Sequence, residues 1–423
     1  MVSVCFYFQV HQPHRLRDYT IFDIGHRDDY FDEEKNKQII QKVANKCYLP
    51  TNKLLLHLIN QNKGAFKVTF SITGSALEQM EKYSPETLES FKALARTGCV
   101  EFLSETYNHS LAYIFSKNEF KEQVELHKNK IKQLFDFVPT AFRNTELIFN
   151  NELAKFVEDM GYTAIVAEGA DHILRERTPN VIYTPVNSNI KVLLKNYRLS
   201  DDIAFRFSNK GWIEHPLTTE KFVNWLNQVN GNGELVNLFM DYETFGEHQW
   251  EDTGIFNFLE HLPSKILAHP HNNFVTVSEA AKKYDSRGII DIHNFISWAD
   301  LERDLTAWLG NPLQDSAIQE LYKLETYIKA TGDKKLLDDW RKLTTSDHFY
   351  YMCTKWFSDG DVHKYFNPYD SPYEAYIIFM NVLNDFTRRI KSKLDLQSKQ
   401  NELRVEKAKT LLMTDTPSTI LTN

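Results

Sequence analysis

The sequence has few cysteines and no segment suited to crossing a membrane. Its 423 residues include four cysteines, which are scattered along the chain and form no Cys-x-x-Cys pair. This excludes a disulfide framework or a zinc ribbon as the basis of the fold. No run of about 18 apolar residues occurs, so we expect no membrane-spanning helix. The N-terminal segment lacks the basic residues and the cleavage site of a signal peptide, which makes the cytoplasm the expected compartment.

Blocks of positive charge are lacking as well. The formal net charge is −8, and this balance argues against nucleic acid or an anionic membrane surface as a partner. A glycine-rich turn after the first strand is also absent. The strand-like segment Val2–Val10 runs instead into His11, Gln12, Pro13 and His14. Because nucleotide-binding doubly wound sheets usually carry such a turn, that fold is the weaker alternative.

Aromatic residues, by contrast, are abundant and make up 13% of the chain. Most of them are expected in the core. Tryptophan and tyrosine also suit sugar binding, since a flat apolar sugar face stacks on a ring that carries a polar group. Composition alone leaves core packing and sugar binding equally open.

Strand-like and helix-like segments alternate over the first two-thirds of the sequence, which predicts a parallel sheet. About seven or eight such units suit a closed or nearly closed barrel. From about residue 291 onward, long helical patterns dominate. We therefore predict a TIM-like barrel over residues 1–290, a helical domain over 291–390 that contributes to the active-site cleft, and a polar tail over 391–423 that is partly disordered or helical.

Polar clusters follow several of the predicted strands. In a parallel sheet the carboxyl ends of the strands meet at one edge, where ligands bind. We therefore expect one shared site, built from the following groups: His11 to His14, Ser104 to His109, Arg143 to Glu146, Asp201 with Asp202, and Asp241.

Two carboxylates from different strands, Glu146 and Asp241, are candidates for acid–base chemistry. Asp241 follows an apolar run, Leu235 to Met240, that reads as a buried strand. Glycoside hydrolysis uses such a pair, one carboxylate as nucleophile or stabiliser and the other as proton donor. A separation of about 5–5.5 Å would indicate retention of configuration. To hold its proton, Asp241 needs a pKa that is raised by burial or by a neighbouring anion, and Glu243 would supply that anion if it shares the pocket. Arg143 would reach Glu146 directly only across a turn or bulge.

The chain resembles an α-amylase-type member of glycoside hydrolase family 57. Four motifs match in order, and a fifth stretch, Thr345 to Tyr351, lies in the helical part. The four motifs are His11-Gln12-Pro13; Val100 to Tyr107 with His109; Phe142-Arg143-Asn144-Thr145-Glu146-Leu147; and Asp241-Tyr242-Glu243-Thr244-Phe245-Gly246.

This resemblance implies an incomplete (β/α)7 barrel followed by a C-terminal helical domain, and a retaining mechanism on α-glucans such as glycogen, starch or maltodextrin. Glu146 would be the nucleophile and Asp241 the general acid/base. It implies no metal and no cofactor. The substrate-binding residues would be His11, Glu105, His109, Glu243, Trp250, Trp298 and Asp347.

Other functions remain open from the sequence. A 4-α-glucanotransferase or branching enzyme would use the same scaffold, and one sequence does not separate it from a hydrolase. A non-catalytic carbohydrate-binding protein would have lost one of the two carboxylates, and both are present. A metal-dependent deacetylase would carry paired aspartates after an early strand, where Ser71 and Ile72 follow Phe70, and a His-Ser-x-x-His helix, whose second histidine is missing after His109 and Ser110. A mannosidase would carry His-x-Asp where Gln12 and Pro13 stand. The oligomeric state stays undetermined.

Overall fold

The computed structural model describes residues 2–357 and 367–414. The strands are β1 (Val2–Val10), β2 (Val68–Ile72), β3 (Val100–Phe102), β4 (Ala141–Arg143), β5 (Ala164–Glu168), β6 (Ile182–Pro185), β7 (Lys191–Lys195), β8 (Leu235–Asp241), β9 (Asn272–Phe274) and β10 (Ile289–Ile290). They form two five-stranded sheets. The first has the order β3-β2-β1-β8, with β9 also paired to β1, and the second has the order β10-β6-β7-β5-β4.

The predicted parallel arrangement is confirmed for every described strand pair except β6–β7, which is antiparallel. Strands β6 and β10 lie at the edge of the second sheet and were not predicted. Their segments are short and lack the long apolar runs of the central strands.

The two sheets contact each other along both edges. Between β3 and β4, the backbone N–H of Arg143 donates to the carbonyl of Ser104 at 2.9 Å. Between β7 and β8, the backbone N–H of Asn196 donates to the carbonyl of Asn237 at 2.9 Å. The strand ends of both sheets are thereby brought to a common rim.

Strand β1 is buried along its whole length because the chain packs against both of its faces. Phe6 and Phe8 contribute to one apolar cluster, in which Phe8 lies 5.2 Å from the ring of Tyr242. Tyr7, pointing the opposite way, packs edge-on against Phe239 at 5.3 Å. An apolar run without polar alternation is typical of a central parallel strand.

Helices cover the sheets and form a separate layer in the C-terminal third. They are α1 (Glu33–Val43), α2 (Leu49–Gln61), α3 (Gly74–Tyr83), α4 (Pro85–Ala95), α5 (Ala112–Phe115), α6 (Lys117–Phe135), α7 (Asn151–Asp159), α8 (Asp171–Leu174), α9 (Tyr197–Ala204), α10 (Thr219–Asn227), α11 (Ile255–Leu267), α12 (Val277–Lys283), α13 (Thr306–Leu309), α14 (Pro312–Lys323), α15 (Glu325–Thr331), α16 (Lys334–Leu343), α17 (Ser346–Tyr350) and α18 (Pro372–Thr414).

Helices α13 to α18 share a core of their own around Trp308, Trp340 and Phe386. The segment after β1 joins this core, since Tyr19 and Tyr30 are buried in it. The Tyr30 hydroxyl donates to the buried Asp385 carboxylate of α18 at 2.7 Å. The helical layer therefore packs against the segment that follows β1.

The last helix, α18, extends to Thr414, so the predicted tail over 391–423 is helical through that residue. Residues 415–423 of that prediction lie outside the described part of the chain. No helix within residues 2–357 and 367–414 has an apolar stretch sufficient to cross a membrane.

Candidate active site

A cavity of about 580 Å³ lies where β1, β4, β7 and β8 end. Seven of the nine side chains predicted for the site line it, and Glu105 and Trp250 do not. The seven are His11, His109, Glu146, Asp241, Glu243, Trp298 and Asp347. Side chains far apart in the sequence thus meet at one rim. Of the strand-end groups predicted to share the site, His14, Ser104, Asp201 and Asp202 do not line the cavity.

Glu146 lies in a single 3-10 turn, Thr145–Leu147, directly after β4. Its backbone φ of 57° is in the left-handed region, which supplies the turn required after Arg143. One carboxylate oxygen lies 2.8 Å from His109 Nε2, and the other accepts a hydrogen bond from Trp298 Nε1 at 2.7 Å. Burial by itself raises the pKa of Glu146, but His109, Arg143 and Trp298 outweigh it and lower that pKa. The carboxylate is therefore held ionised, as a nucleophile requires.

His109 links Glu146 to a deeper carboxylate, Glu105. The Nδ1 atom of His109 lies 3.4 Å from Glu105 Oε2, and Arg143 Nη1 lies 3.6 Å from the same oxygen. Burial alone lowers the pKa of His109, but its hydrogen bonds to Glu105 and Glu146 raise it to about 9. Glu105 is fully buried behind His109. Glu105 therefore contacts His109 and does not line the cavity.

Asp241 ends β8 and has the opposite electrostatic setting to Glu146. Burial, and then the negative charge of Glu146, raise the pKa of Asp241 to about 6. The positive charges of Arg143, Lys195 and His109 oppose this increase. A carboxyl group that keeps its proton up to about pH 6 suits a general acid.

Burial, one of the two causes expected from the sequence, comes first among the causes of the raised pKa of Asp241, and the anion that follows it is Glu146 rather than Glu243. Burial, and then the charge of Asp241, raise the pKa of Glu243 to about 8. Glu243 is therefore still protonated at the pH where Asp241 titrates, and the anion that acts on Asp241 is Glu146. Glu243 hydrogen-bonds to the Tyr48 hydroxyl, and Gln12 Nε2 donates to it at 3.3 Å.

The helical layer contributes Asp347, from α17. Its Oδ2 lies 3.0 Å from His11 Nε2, and His11 Nδ1 lies 2.9 Å from the Thr73 hydroxyl. Burial raises the pKa of Asp347, but the charge and hydrogen bond of His11 outweigh it and lower that pKa well below its usual range. Helix α17 thus contributes Asp347 and Tyr350 to the cavity lining.

His11, His109 and Asp347 place one possible metal-ligand atom each within 4.8 Å of one another. The two imidazole rings are stacked, however, with centroids 4.0 Å apart and planes inclined by 19°. Lone pairs of stacked rings run nearly parallel, whereas ligands of one ion must converge on it at about 2.0–2.1 Å. This ring geometry does not fit a shared metal ion, and the prediction of a metal-free site stays a prediction.

The two predicted stacking tryptophans have different positions. Trp298 lines the cavity, and its indole N–H bonds to Glu146. Trp250 is 59% exposed outside the cavity lining, with Lys46 Nζ 5.2 Å from the centre of its ring. Glu247 and His248 also line the cavity, and Glu247 pairs with Lys42.

Sequence reasoning missed Lys195 and Arg303, which both line the cavity. Lys195 is the last residue of β7. A charged residue directly after a predicted strand was the available signal for it. Arg303 lies in an irregular segment between β10 and α13, where no periodic pattern marks it.

Comparison with known families gives a match over most of the first three quarters of the chain. Residues 5–293 match the model of Glycosyl hydrolase family 57. A Methanocaldococcus jannaschii protein named "Putative alpha-amylase" is 45% identical over 404 residues, which cover 92% of this chain and 85% of that protein. An alpha-amylase of Pyrococcus furiosus is 21% identical over 264 residues, 60% of this chain and 38% of that protein.

Solved structures of similar fold include a 4-alpha-glucanotransferase from Thermococcus litoralis, with a TM-score of 0.64 and 15% identity. The match covers 82% of this chain, and the chain spans 56% of the glucanotransferase. The alpha-amylase AmyC from Thermotoga maritima has a TM-score of 0.60 and 12% identity, and the match covers 93% of this chain and 94% of AmyC. At these identities the likeness concerns the fold.

Proposed function

We propose that this chain, which belongs to glycosyl hydrolase family 57, is a retaining glycoside hydrolase that acts on α-glucans. Glu146 is the nucleophile and Asp241 the general acid/base. The observation that carries the proposal is the pair of opposite pKa shifts in one cavity, lowered for Glu146 and raised to about 6 for Asp241. Environments that push two carboxyl pKa values apart assign one group to attack and the other to proton transfer.

The reaction proceeds in two displacements. In the first, a Glu146 oxygen attacks the anomeric carbon while the Asp241 carboxyl gives its proton to the glycosidic oxygen, which leaves as an alcohol. In the second, the Asp241 carboxylate takes a proton from water as the water oxygen attacks the anomeric carbon. The bond to Glu146 breaks, and both carboxyl groups return to their starting protonation states.

Neighbouring groups support this division of roles. His109 hydrogen-bonds to one oxygen of Glu146 and Trp298 to the other, which orients the carboxylate. His11, Glu243 and Asp347 are proposed to bind sugar hydroxyls around the cleaved bond, because all three line the same cavity. Glu105 acts through His109, which it contacts from behind.

Transfer to a sugar acceptor is the second candidate, because enzymes of this fold include a 4-alpha-glucanotransferase and a branching enzyme. The two carboxylates serve both reactions, and the difference is whether water or a sugar hydroxyl reaches the intermediate. The names of the sequence relatives favour the hydrolase.

We further propose that seven strands (β8, β1, β2, β3, β4, β5 and β7) form one incomplete barrel. The contacts between β3 and β4 and between β7 and β8 support this, since they link the two sheets at both edges. On this proposal residues 1–290 are the barrel domain, 291–390 the helical domain and 391–423 the tail.

Incubation with maltoheptaose, followed by chromatographic separation of the products, tests the proposed function. Shorter maltooligosaccharides alone indicate hydrolysis, and products longer than the substrate indicate transfer. The Asp241→Asn variant is the control for contaminating activity. A wild-type protein that leaves maltoheptaose and soluble starch unchanged would contradict the α-glucan proposal.

A further inference from the structure

Four charged side chains form an ionic cluster next to Trp298, and the mechanism above does not use them. We name this the Trp298 cluster; it consists of Glu168, Lys195, Asp201 and Arg303. Lys195 Nζ lies 3.0 Å from Asp201 Oδ1 and 3.8 Å from Glu168 Oε2. Arg303 lies 3.6 Å from Glu168 Oε2 and 3.8 Å from Asp201 Oδ2. Each cation thus touches both anions.

Strand register brings the cluster together. Glu168 and Lys195 are the last residues of β5 and β7 and are direct partners across the two parallel strands. Asp201 follows in α9, which begins two residues after Lys195. Arg303 comes from the segment before α13, where its backbone φ is 54°. A non-glycine residue in this left-handed region is often found at functional sites.

The cluster contacts Trp298 in two ways. The Arg303 guanidinium donates a hydrogen bond to the Trp298 carbonyl. Lys195 Nζ lies 5.4 Å from the centre of the Trp298 ring, within the range of a cation–π contact. Because the indole N–H of Trp298 bonds to Glu146 at 2.7 Å, any shift of Trp298 moves the partner of the proposed nucleophile.

Glu168 is unusual within the cluster because it is buried and both of its ion pairs are longer than 3.5 Å. It is 1% exposed, and among the described residues no side chain forms a hydrogen bond to it. Burial, only partly offset by Lys195 and Arg303, raises its pKa. A buried carboxylate whose ion pairs are this long contributes little to stability, so stability alone does not explain it.

We propose that Glu168 is a positioning residue that holds Lys195 and Arg303 against Trp298 and so fixes the hydrogen bond from Trp298 to Glu146. Lys195 also faces the second carboxylate, since its positive charge lowers the pKa of Asp241. The cluster therefore acts on both carboxyl groups while touching no reacting atom. The proposal rests on the proposed function of Glu146 and Asp241.

The test combines steady-state kinetics on maltoheptaose with NMR titration of ¹³C-labelled aspartate side chains, in which Asp241→Asn assigns the Asp241 signal. For Glu168→Gln, which keeps the shape and removes the charge, we expect kcat to fall about tenfold or more with little change in KM. The pKa of Asp241 should fall because Lys195 and Arg303 lose a compensating anion. The basic limb of the kcat/KM profile should therefore move to lower pH, by about half a pH unit or more.

Lys195→Met should move the same limb and the Asp241 pKa in the opposite direction, to higher pH, and Lys195→Arg should restore the wild-type values. Glu119→Gln is the matched control. Glu119 is equally buried, pairs with Arg341 at 2.7 Å and Lys329 at 2.9 Å, and lies outside the cavity lining. We expect it to lower the melting temperature and leave the pH profile unchanged.

The proposal is overturned if Glu168→Gln keeps the wild-type kcat and Asp241 pKa. It is equally overturned if activity falls only in proportion to a loss of folded protein, as in Glu119→Gln. The NMR titration needs no turnover. Failure of the wild-type protein to cleave α-glucans would therefore refute the proposed function while the coupling of Glu168 and Lys195 to Asp241 stays measurable.

Discussion

At the scale of single residues, backbone conformation decides where the proposed nucleophile points. Glu146 and Leu147 both have left-handed torsions, with φ values of 57° and 52°. Such torsions cost on the order of 1–3 kcal/mol each for non-glycine residues and persist where the surroundings enforce them. Here they direct the Glu146 side chain between His109 and Trp298.

Replacement of Glu146 tests its role directly. Glu146→Gln should lower turnover by about a thousandfold or more, because an amide cannot form the glycosyl intermediate. Azide should restore activity to Glu146→Ala and give a product of inverted configuration, detectable by NMR. Circular dichroism of both variants checks that the fold is retained. Undiminished activity in Glu146→Gln would remove this residue as the nucleophile.

The pH dependence of kcat/KM follows from the two carboxyl groups. Glu146 must be ionised and Asp241 protonated, so the rate should decline as pH rises through the Asp241 pKa of about 6. The acidic limb should lie below the usual glutamate range, because the pKa of Glu146 is lowered.

A dinitrophenyl maltooligoside gives the control for this pH dependence, since its leaving group needs no proton and its basic limb should disappear from kcat/KM. An identical basic limb for both substrates would contradict the assignment of Asp241 as the acid.

At the scale of elements, the irregular segment between β3 and α5 connects two carboxylates of the site. Through His109 it joins the buried Glu105 to Glu146. The sequence indicated only that a turn or bulge would be needed between Arg143 and Glu146, and β4 ends at Arg143. Local apolar patterns mark a strand, whereas the turn that ends β4 is held by contacts from this distant segment.

The protonated form of His109 should contribute to stability. Its pKa is raised to about 9, so this contribution is fully present below the unfolded pKa of about 6.5 and is lost as pH rises through about 9. In urea unfolding, the difference in unfolding free energy between wild type and His109→Gln should shrink by about 1–3 kcal/mol from pH 6 to pH 9.5. A difference that is constant over this range would refute the raised pKa.

At the scale of the whole molecule, the cavity is formed by parts of the chain that are far apart in sequence. Strand ends supply Glu146 and Asp241, and the helical layer supplies Asp347. Among the described side chains, α18 contacts this body as far as Gln397. Its last described contacts are the pair Lys393–Asp333 at 2.8 Å and the hydrogen bond from Gln397 to the Thr331 carbonyl at 2.7 Å.

Truncation of the chain should therefore depend on where the cut falls. Removal of residues 402–423 should leave activity unchanged and the melting temperature within about 2 °C of wild type, because residues 398–404 are exposed. Removal of residues 391–423 also deletes the Lys393 and Gln397 contacts and should lower the melting temperature by a few degrees, about 2–4 °C. Loss of activity in the shorter deletion would show that the tail serves the site.

The sequence by itself determined where polar side chains follow buried strands, because an apolar run followed by polar side chains is encoded locally. That pattern was sufficient to select Glu146, Asp241 and His11 as candidates, and the resemblance of four ordered motifs indicated the family. Only the tertiary structure decided how these groups act on one another. It showed Glu146 as the anion that raises the pKa of Asp241, placed Glu105 behind His109, and put Trp250 outside the cavity lining. Electrostatic interactions depend on distances through space, and those distances arise only when the two sheets meet.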